Sequence, residues 1–179
     1  MTSDVPLDQR DPQAWQAHLA EGNRTQPRKR VSADVLFRDE AGRILLVDPR
    51  YKPDWDLPAG TAEADEAPLD AARRQVAEEL GVSYLGGRLL VVDWVAAHGP
   101  WDDALAIVFD GGVLAERDTA RIRLRDGELQ AYRFVDPADT GPLLRPYVRR
   151  RVRHARTAAV DGRTVYLHDG DPATPSGAG

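Results

Sequence analysis

The sequence predicts an α/β (α+β) protein in which a mixed β-sheet lies between helices. Runs with strand-like alternation occur before and after one strongly amphipathic helical segment, and a second amphipathic segment follows near the end. This order is typical of a sheet covered by helices on both faces. The length of 179 residues and the 42% hydrophobic content suit one domain with a full core.

Residues 1–30 are predicted to be an N-terminal extension with a short helix. Asp11 is a suitable N-cap residue and Pro12 a suitable first helical residue, while Gly22 is expected to end the helix. Trp15 and Leu19 share one face, so the extension is expected to contact the domain through Trp15 or not at all.

The first part of the sheet is predicted to be a hairpin. Apolar residues alternate from Val31 to Phe37, which indicates a strand with one buried face. A turn ending at Gly42 leads into the apolar run Ile44–Val47, and a loop is expected from there to Gly60.

Helical spacing of Leu69, Ala72, Val76 and Leu80 predicts a helix that begins near Pro68 and ends at Gly81. The remaining predicted strands are residues 89–95, 104–109, 132–135 and 165–167, and the second helix is residues 143–159. The Gly/Pro/Ser-rich tail, residues 169–179, is predicted to be disordered.

Composition excludes several classes of protein. The formal net charge of −5 argues against non-specific nucleic-acid binding. The arginines from Arg145 to Arg156 alternate with Val148, Val152 and Ala155, which predicts the exposed face of a helix rather than a nucleic-acid patch.

No apolar run is long enough to cross a membrane, and we expect no secretory signal. The lack of cysteine excludes disulfides and thiolate chemistry and suits a cytoplasmic protein.

Three polar side chains of the first helix are predicted to lie close together. At about 100° per residue, Gln75, Glu78 and Glu79 fall within about a third of the helix circumference, beside the apolar stripe. Adjacent carboxylates at the edge of a core need a cation, and Mg²⁺ or Mn²⁺ suits their oxygens. Gly60 could offer a backbone carbonyl to the same ion. The alternative is two solvated glutamates with Arg74 as a local ion-pair partner.

The spacing of these residues resembles the Nudix box, G-x5-E-x7-R-E-U-x-E-E-x-G-U, in which U is aliphatic. The resemblance runs from Gly60 to Val82, and the flanking elements extend it to a Nudix domain of residues 31–168. One fixed position departs from the pattern, because Gln75 replaces a glutamate. The matching positions are Gly60, Glu66, Arg74, Val76, Glu78, Glu79, Gly81 and Val82.

The resemblance implies an α/β/α sandwich that hydrolyses a diphosphate within a nucleoside diphosphate linked to another moiety. It implies Mg²⁺ or Mn²⁺ as cofactor, held by Glu78, Glu79 and the carbonyl of Gly60, with Glu128 as a further acid. A solvated turn residue is the alternative for Glu128. Glu66 and Arg74 resemble the structural ion pair that ties the loop to the helix.

Gln75 leaves the catalytic mechanism open. An amide keeps the size of glutamate but carries no charge and cannot act as a base. Either hydrolysis is slow with fewer metals, or another carboxylate serves as base, or the glutamine is an isosteric replacement introduced to trap substrate. The alternative function is therefore a catalytically weakened nucleotide-binding or sensor module with the same fold. Glu78 and Glu79 remain candidates for the proton acceptor.

Substrate contacts are expected from loops beside the box. Arg50 could pair with a phosphate, and Tyr51, Trp55 and Trp101 could stack on a base, although packing under a loop is the alternative for each aromatic residue. The expected partner is a nucleotide-like small molecule, with no membrane and no nucleic acid. The sequence leaves the substrate, the number of metals and a homodimer open.

Overall fold

The computed structural model describes residues 6–124 and 127–173, in which one mixed β-sheet lies between helices. The strands are β1 (Arg30–Asp39), β2 (Ile44–Pro49), β3 (Ala59–Thr61), β4 (Leu89–Val95), β5 (Ala104–Leu114), β6 (Leu129–Val135), β7 (Val165–His168) and β8 (Asp171–Pro172). The helices are α1 (Leu7–Arg10), α2 (Pro12–Thr25), α3 (Pro68–Leu80), α4 (Glu116–Thr119) and α5 (Pro146–Asp161), with a 3-10 helix at Pro137–Thr140.

The sheet has the strand order β6-β2-β1-β5-β4-β7-β8. β1 runs parallel to β5 and β4 runs parallel to β7, while the other neighbouring strands are antiparallel. β3 pairs with the beginning of β1, with Ala33 opposite Gly60 and Asp34 opposite Ala59. This pairing brings the start of the Nudix-like segment against the centre of the sheet.

Each face of the sheet is covered by one long helix, which confirms the predicted fold class. Val35 and Phe37 of β1 belong to the core cluster beneath α3, whereas Leu36 belongs to the cluster beneath α5. β1 is therefore buried on both faces, and the prediction of one buried face is wrong. The reason is that α5, which follows much later in the chain, packs against the second face.

The predicted limits of α3 are confirmed. Pro68 is its first residue, and Gly81 follows its last residue with φ of +67°, a left-handed conformation that glycine adopts without steric cost. α5 begins and ends slightly later than predicted and is followed by Gly162 with φ of +73°. β5 and β6 are longer than their apolar runs indicated.

The ends of the chain differ from the expectations. Asp11 caps α2 by accepting a hydrogen bond from the Ala14 backbone N–H at 2.9 Å, but the helix continues past Gly22 to Thr25. No residue of α2 is buried, and Trp15 stacks on His18 of the same helix.

The predicted disorder is wrong for residues 169–173. β8 pairs with β7 there, because a turn at Gly170, φ +80°, reverses the chain. Residues 174–179 lie outside the described residues. In the described part of the chain, every helix is too short or too polar to cross a membrane.

Candidate active site

Helix α3 carries Glu79 to the edge of β3. Glu79 follows Val76 by three residues, so it lies at the border of the apolar stripe and its exposed fraction is only 6%. The backbone N–H of Ala59 donates a hydrogen bond to Glu79 Oε2 at 3.3 Å. The carboxylate is thus held beside the backbone of β3, where the sequence predicts a metal ligand.

Glu78 is placed differently from its neighbour. Its side chain is 52% exposed and accepts a hydrogen bond from Arg74 Nη1 at 3.2 Å. The two glutamates point apart because successive helical residues diverge by about 100°. The sequence predicts both carboxylates at one groove, whereas the structure brings only Glu79 to the cleft described below.

Glu66 and Arg74 form a two-pronged ion pair. Arg74 donates from Nε to Glu66 Oε1 and from Nη2 to Glu66 Oε2, each at 2.8 Å, and Nη2 also reaches the Thr61 carbonyl at 3.3 Å. These hydrogen bonds from Arg74, with one from the Glu63 backbone N–H, lower the pKa of Glu66 to about 2. The pair ties the loop after β3 to α3, which is the structural role that the resemblance implies.

Gln75 lies directly against Gly60. A Cβ atom built on Gly60 would stand 2.1 Å from Gln75 Cδ, well inside van der Waals contact. The absence of a side chain at residue 60 therefore lets the Gln75 amide cover the β3 backbone. This contact places the one departure from the Nudix pattern next to the residue whose carbonyl the resemblance assigns to the metal.

Gly60, Gln75 and Glu79 line a cleft of about 340 Å³, which we call the helix cleft. Glu128 reaches it from the loop before β6, where the Arg50 backbone N–H donates to the Glu128 carbonyl at 2.8 Å. Partial burial raises the pKa of Tyr51, although the positive charge of Lys52 acts to lower it. The nearby carboxylates raise this pKa further; they belong to Asp56, Glu79 and Glu128. The lining residues are Tyr51, Ala59, Gly60, Thr61, Glu63, Arg74, Gln75, Glu79 and Glu128.

A second cleft of about 250 Å³, the adjoining cleft, shares Tyr51 and all of β3 with the helix cleft. Trp101 is 56% exposed at its rim, with the Arg30 guanidinium 4.8 Å from the ring centroid. Lys52 also lines it, and its ammonium group is paired with Asp56 at 2.6 Å. The adjoining cleft therefore offers aromatic surface and cations beside the glutamate-bearing helix.

A buried ionic network forms one wall of the adjoining cleft. Arg151 of α5 donates from Nε to Asp93 at 2.8 Å and from Nη1 to Asp34 at 3.3 Å, and all three residues are buried. Burial raises the pKa of Asp34, although the positive charge of Arg151 acts to lower it. This network was not predicted from the sequence, although Arg151 falls within the apolar stripe between Val148 and Ala155.

Two predicted substrate residues lie elsewhere. Arg50 is exposed and lines neither cleft. Trp55 packs against the core cluster beneath α5, with the Arg133 guanidinium 5.1 Å from its ring centroid. Of the four predicted substrate residues, the structure brings together only Tyr51 and Trp101.

The helix cleft suits a hydrated divalent cation with few protein ligands. Among residues 6–124 and 127–173, no three His, Cys, Asp or Glu side chains group closely enough to hold a metal. The cleft instead supplies the carboxylates of Glu79 and Glu128, the Gln75 amide and the backbone of β3. Mg²⁺ keeps several waters and binds one or two carboxylates together with substrate phosphates, so this oxygen-rich set fits it.

Comparison with known proteins identifies the family. The model of the NUDIX domain matches residues 28–155, so the chain belongs to the Nudix family. It is 44% identical over 64 residues to diphosphoinositol polyphosphate phosphohydrolase 2 of Rattus norvegicus, covering 35% of this chain and 36% of that protein. It is also 44% identical over 66 residues to diphosphoinositol polyphosphate phosphohydrolase 3-alpha of Mus musculus, covering 36% and 40%. The matched segment spans little more than a third of these relatives.

Solved structures share the fold at low sequence identity. A UDP-X diphosphatase superposes with a TM-score of 0.67 at 18% identity over 92% of this chain and 76% of that one. The NUDIX domain of Shewanella oneidensis NrtR, complexed with ADP ribose, gives 0.65 at 14% identity over 80% and 97%. The MutT protein of Methanosarcina mazei Go1 gives 0.61 at 24% identity over 78% and 100%.

Proposed function

We propose that this protein is a metal-dependent diphosphohydrolase that cleaves a diphosphate bond in a nucleoside diphosphate linked to another moiety. One observation carries the proposal: the nearly buried carboxylate of Glu79 lies against the β3 backbone in a cleft that also holds Glu128. Two carboxylates beside a strand backbone form a set of hard oxygen donors, which suits a divalent cation that links the protein to substrate phosphates.

The proposed metal ligands are Glu79, Glu128 and the carbonyl of Gly60, with Glu78 joining them if its side chain leaves Arg74. Bound Mg²⁺ or Mn²⁺ would supply neutralisation of the phosphate oxygens and a water of lowered pKa. Gln75 cannot accept a proton, so we infer that one of the carboxylates of the cleft acts as the general base. Glu128 is the best candidate, because it reaches the cleft from a different element than Glu79; in that role it would contact the metal-bound water instead of the metal itself.

The adjoining cleft supports a nucleotide-type substrate. Tyr51 and Trp101 offer aromatic faces to a base, while Arg30 and Lys52 offer positive charge to phosphates. One relative is named a diphosphoinositol polyphosphate phosphohydrolase, one structural neighbour is a UDP-X diphosphatase, and another binds ADP ribose, which contains a diphosphate group. We infer that the diphosphate lies over β3, between the two clefts.

The substrate class is tested by a hydrolysis panel. Purified protein is incubated with nucleoside triphosphates, ADP-ribose, nucleotide sugars, dinucleoside polyphosphates and a diphosphoinositol polyphosphate, each with Mg²⁺, Mn²⁺ or EDTA. We expect cation-dependent release of phosphate or a nucleoside monophosphate from at least one nucleotide-linked diphosphate. Hydrolysis that persists in EDTA, or that is confined to the inositol compound, would contradict the proposal.

Three single substitutions test the role of Glu79. We expect Glu79→Gln to reduce kcat at least about a hundredfold, since metal stabilisation of the transition state is worth several kcal/mol. Glu78→Gln should reduce it less, because Glu78 is paired with Arg74 outside the cleft. Glu116→Gln on α4 is the matched control and should keep full activity. Equal activity of Glu79→Gln and the control would show that Glu79 is not catalytic.

The alternative is a nucleotide-binding module with weakened catalysis. The contact between Gln75 and Gly60 favours it, because an uncharged amide stands where the family pattern has a carboxylate. Isothermal titration calorimetry against the same compounds separates the two proposals. Micromolar binding of a nucleotide without turnover under any metal condition would support the module and contradict the hydrolase.

A further inference from the structure

Helix α5 and the 3-10 helix enclose a third cleft, of about 360 Å³, which we call the arginine cleft. Its lining includes Arg149, Arg150, Arg153 and Arg156, with Ile44 and Val152 among its apolar members. Among the described residues, none lines both this cleft and either the helix cleft or the adjoining cleft. The same helix thus turns Arg151 towards the adjoining cleft and its other arginines towards a separate cavity.

Most of these cations have no partner within the described part of the chain. Arg150 is paired with Asp171 at 2.9 Å and donates to the Asp169 carbonyl at 2.7 Å. By contrast, the guanidinium groups of Arg149, Arg153 and Arg156 form no hydrogen bond or ion pair with any residue that the structure describes.

No carboxylate of residues 6–124 and 127–173 lines the arginine cleft. The nearby 3-10 helix carries two acids, but Asp136 caps the Ala138 backbone N–H at 2.9 Å and Asp139 lies outside the lining. Four guanidinium groups therefore face one cavity in a chain whose net charge is −5. Asp171 neutralises Arg150, and an anion in the cleft would relieve the repulsion among Arg149, Arg153 and Arg156.

The geometry favours phosphate. Guanidinium groups match phosphate oxygens with pairs of parallel hydrogen bonds, and several of them converge here from successive turns of one helix. Arg149 and Arg156 are seven residues apart, about 10 Å along the helix axis, a length that suits two or three adjacent phosphate groups. At Gly141 a Cβ would lie 2.9 Å from Arg149 Nη1, so glycine lets this guanidinium approach the backbone.

We propose that the arginine cleft is a second binding site, distinct from the hydrolytic one, for a small polyphosphate, either free or carried by a nucleotide. The volume of 360 Å³ lies within the range of small-ligand pockets. A nucleic acid would instead require an extended cationic stripe, whereas these arginines cover only two turns of α5. The site is independent of the divalent metal, because its ligands are cations.

The proposal is tested by calorimetric titration of the full chain with sodium tripolyphosphate in EDTA, where metal-dependent hydrolysis is absent. We expect one bound tripolyphosphate per chain. The double variant Arg153→Gln/Arg156→Gln should bind at least about tenfold more weakly, because two charge-assisted contacts are lost. The matched control is Arg117→Gln/Arg121→Gln, which removes the same charge at two exposed residues whose contacts with Asp118 are 3.8 Å long. It should bind within about twofold of the original chain.

Titrations with other ligands identify what the arginine cleft binds, and folding controls show that a loss of binding is not caused by misfolding. Titration with ATP in EDTA distinguishes a nucleotide from a free polyphosphate, and a single-stranded RNA ten-mer tests for a nucleic-acid surface. Circular dichroism checks that each variant folds. If the glutamine variant does not fold, Arg153→Lys/Arg156→Lys replaces it and should lose less affinity for tripolyphosphate. Hydrolysis in Mg²⁺ should be unchanged in the arginine variants.

Four results would overturn the proposal. These are absence of tripolyphosphate binding, full binding by the double variant, equal loss in the control, and tighter binding of RNA than of tripolyphosphate through the same arginines. A failure of the hydrolase proposal would leave this titration unaffected, since it contains no metal and no turnover.

Discussion

The contact between Gly60 and Gln75 makes a quantitative prediction about stability. In Gly60→Ala the new Cβ would stand 2.1 Å from Gln75 Cδ, 2.2 Å from Cγ and 2.3 Å from Nε2. Carbon atoms prefer separations of about 3.5–4.0 Å, so the Gln75 side chain must move by about 1.4 Å or more. Overpacking costs about 1–3 kcal/mol, and we expect about 1–2 kcal/mol here because the displaced group is the end of a flexible side chain.

A double-mutant cycle isolates this contact. Gln75→Ala removes the clashing atoms, so Gly60→Ala in that background should cost less than about 0.5 kcal/mol, giving a coupling energy of about 1 kcal/mol. The assay is equilibrium unfolding in urea for the original chain, both single variants and the double variant, with the m-value checked for constancy. If Gly60→Ala cost the same in both backgrounds, Gln75 would not cover Gly60 and the described geometry of the cleft would be wrong.

Three further predictions concern other parts of the site. Gln75→Glu should raise Mg²⁺-dependent hydrolysis at least about tenfold if the side chain takes part in catalysis, and unchanged kcat on an active substrate would remove it from the mechanism. Because the folded-state pKa of Glu66 is lowered to about 2, its contribution to stability is present at neutral pH and is lost as pH falls from about 4.5 towards 2. The urea midpoints of the original chain and Glu66→Gln should therefore differ at pH 7 and converge near pH 2, and a constant difference would contradict the ion pair with Arg74. Arg151→Met leaves two buried carboxylates without their cation and should lower the free energy of unfolding by about 3–5 kcal/mol, whereas a loss below 1 kcal/mol would show that they are stabilised in another way.

The sequence predicted the parts of the site that depend on local spacing. The limits of α3 followed from the period of its apolar residues and from Pro68 and Gly81, and the position of Glu79 beside the stripe followed from the same period. The Nudix resemblance added Glu128, which lies far away in the chain and which the structure brings to the helix cleft. Periodicity alone could not have identified that residue.

The remaining features depend on contacts between distant segments. Asp34 was not recognised because alternation in β1 suggested a single buried face, and only the packing of α5 shows that the second face is also buried. Arg151 was grouped with exposed arginines, although its place in the apolar stripe indicated burial. Glu78 was predicted at the cleft because spacing does not show which rotamer an ion pair with Arg74 selects.

The short strand β3 forms a common wall of the helix cleft and the adjoining cleft. Under the proposed function, a molecule that spans this wall would have its reacting group on the α3 side and its recognition group on the side of Trp101 and Tyr147. Trp101 lies in a loop and Tyr147 at the beginning of α5, and neither residue lines the helix cleft that holds Glu79. New specificities could therefore evolve by changing that loop and helix end while the hydrolytic apparatus stays as it is.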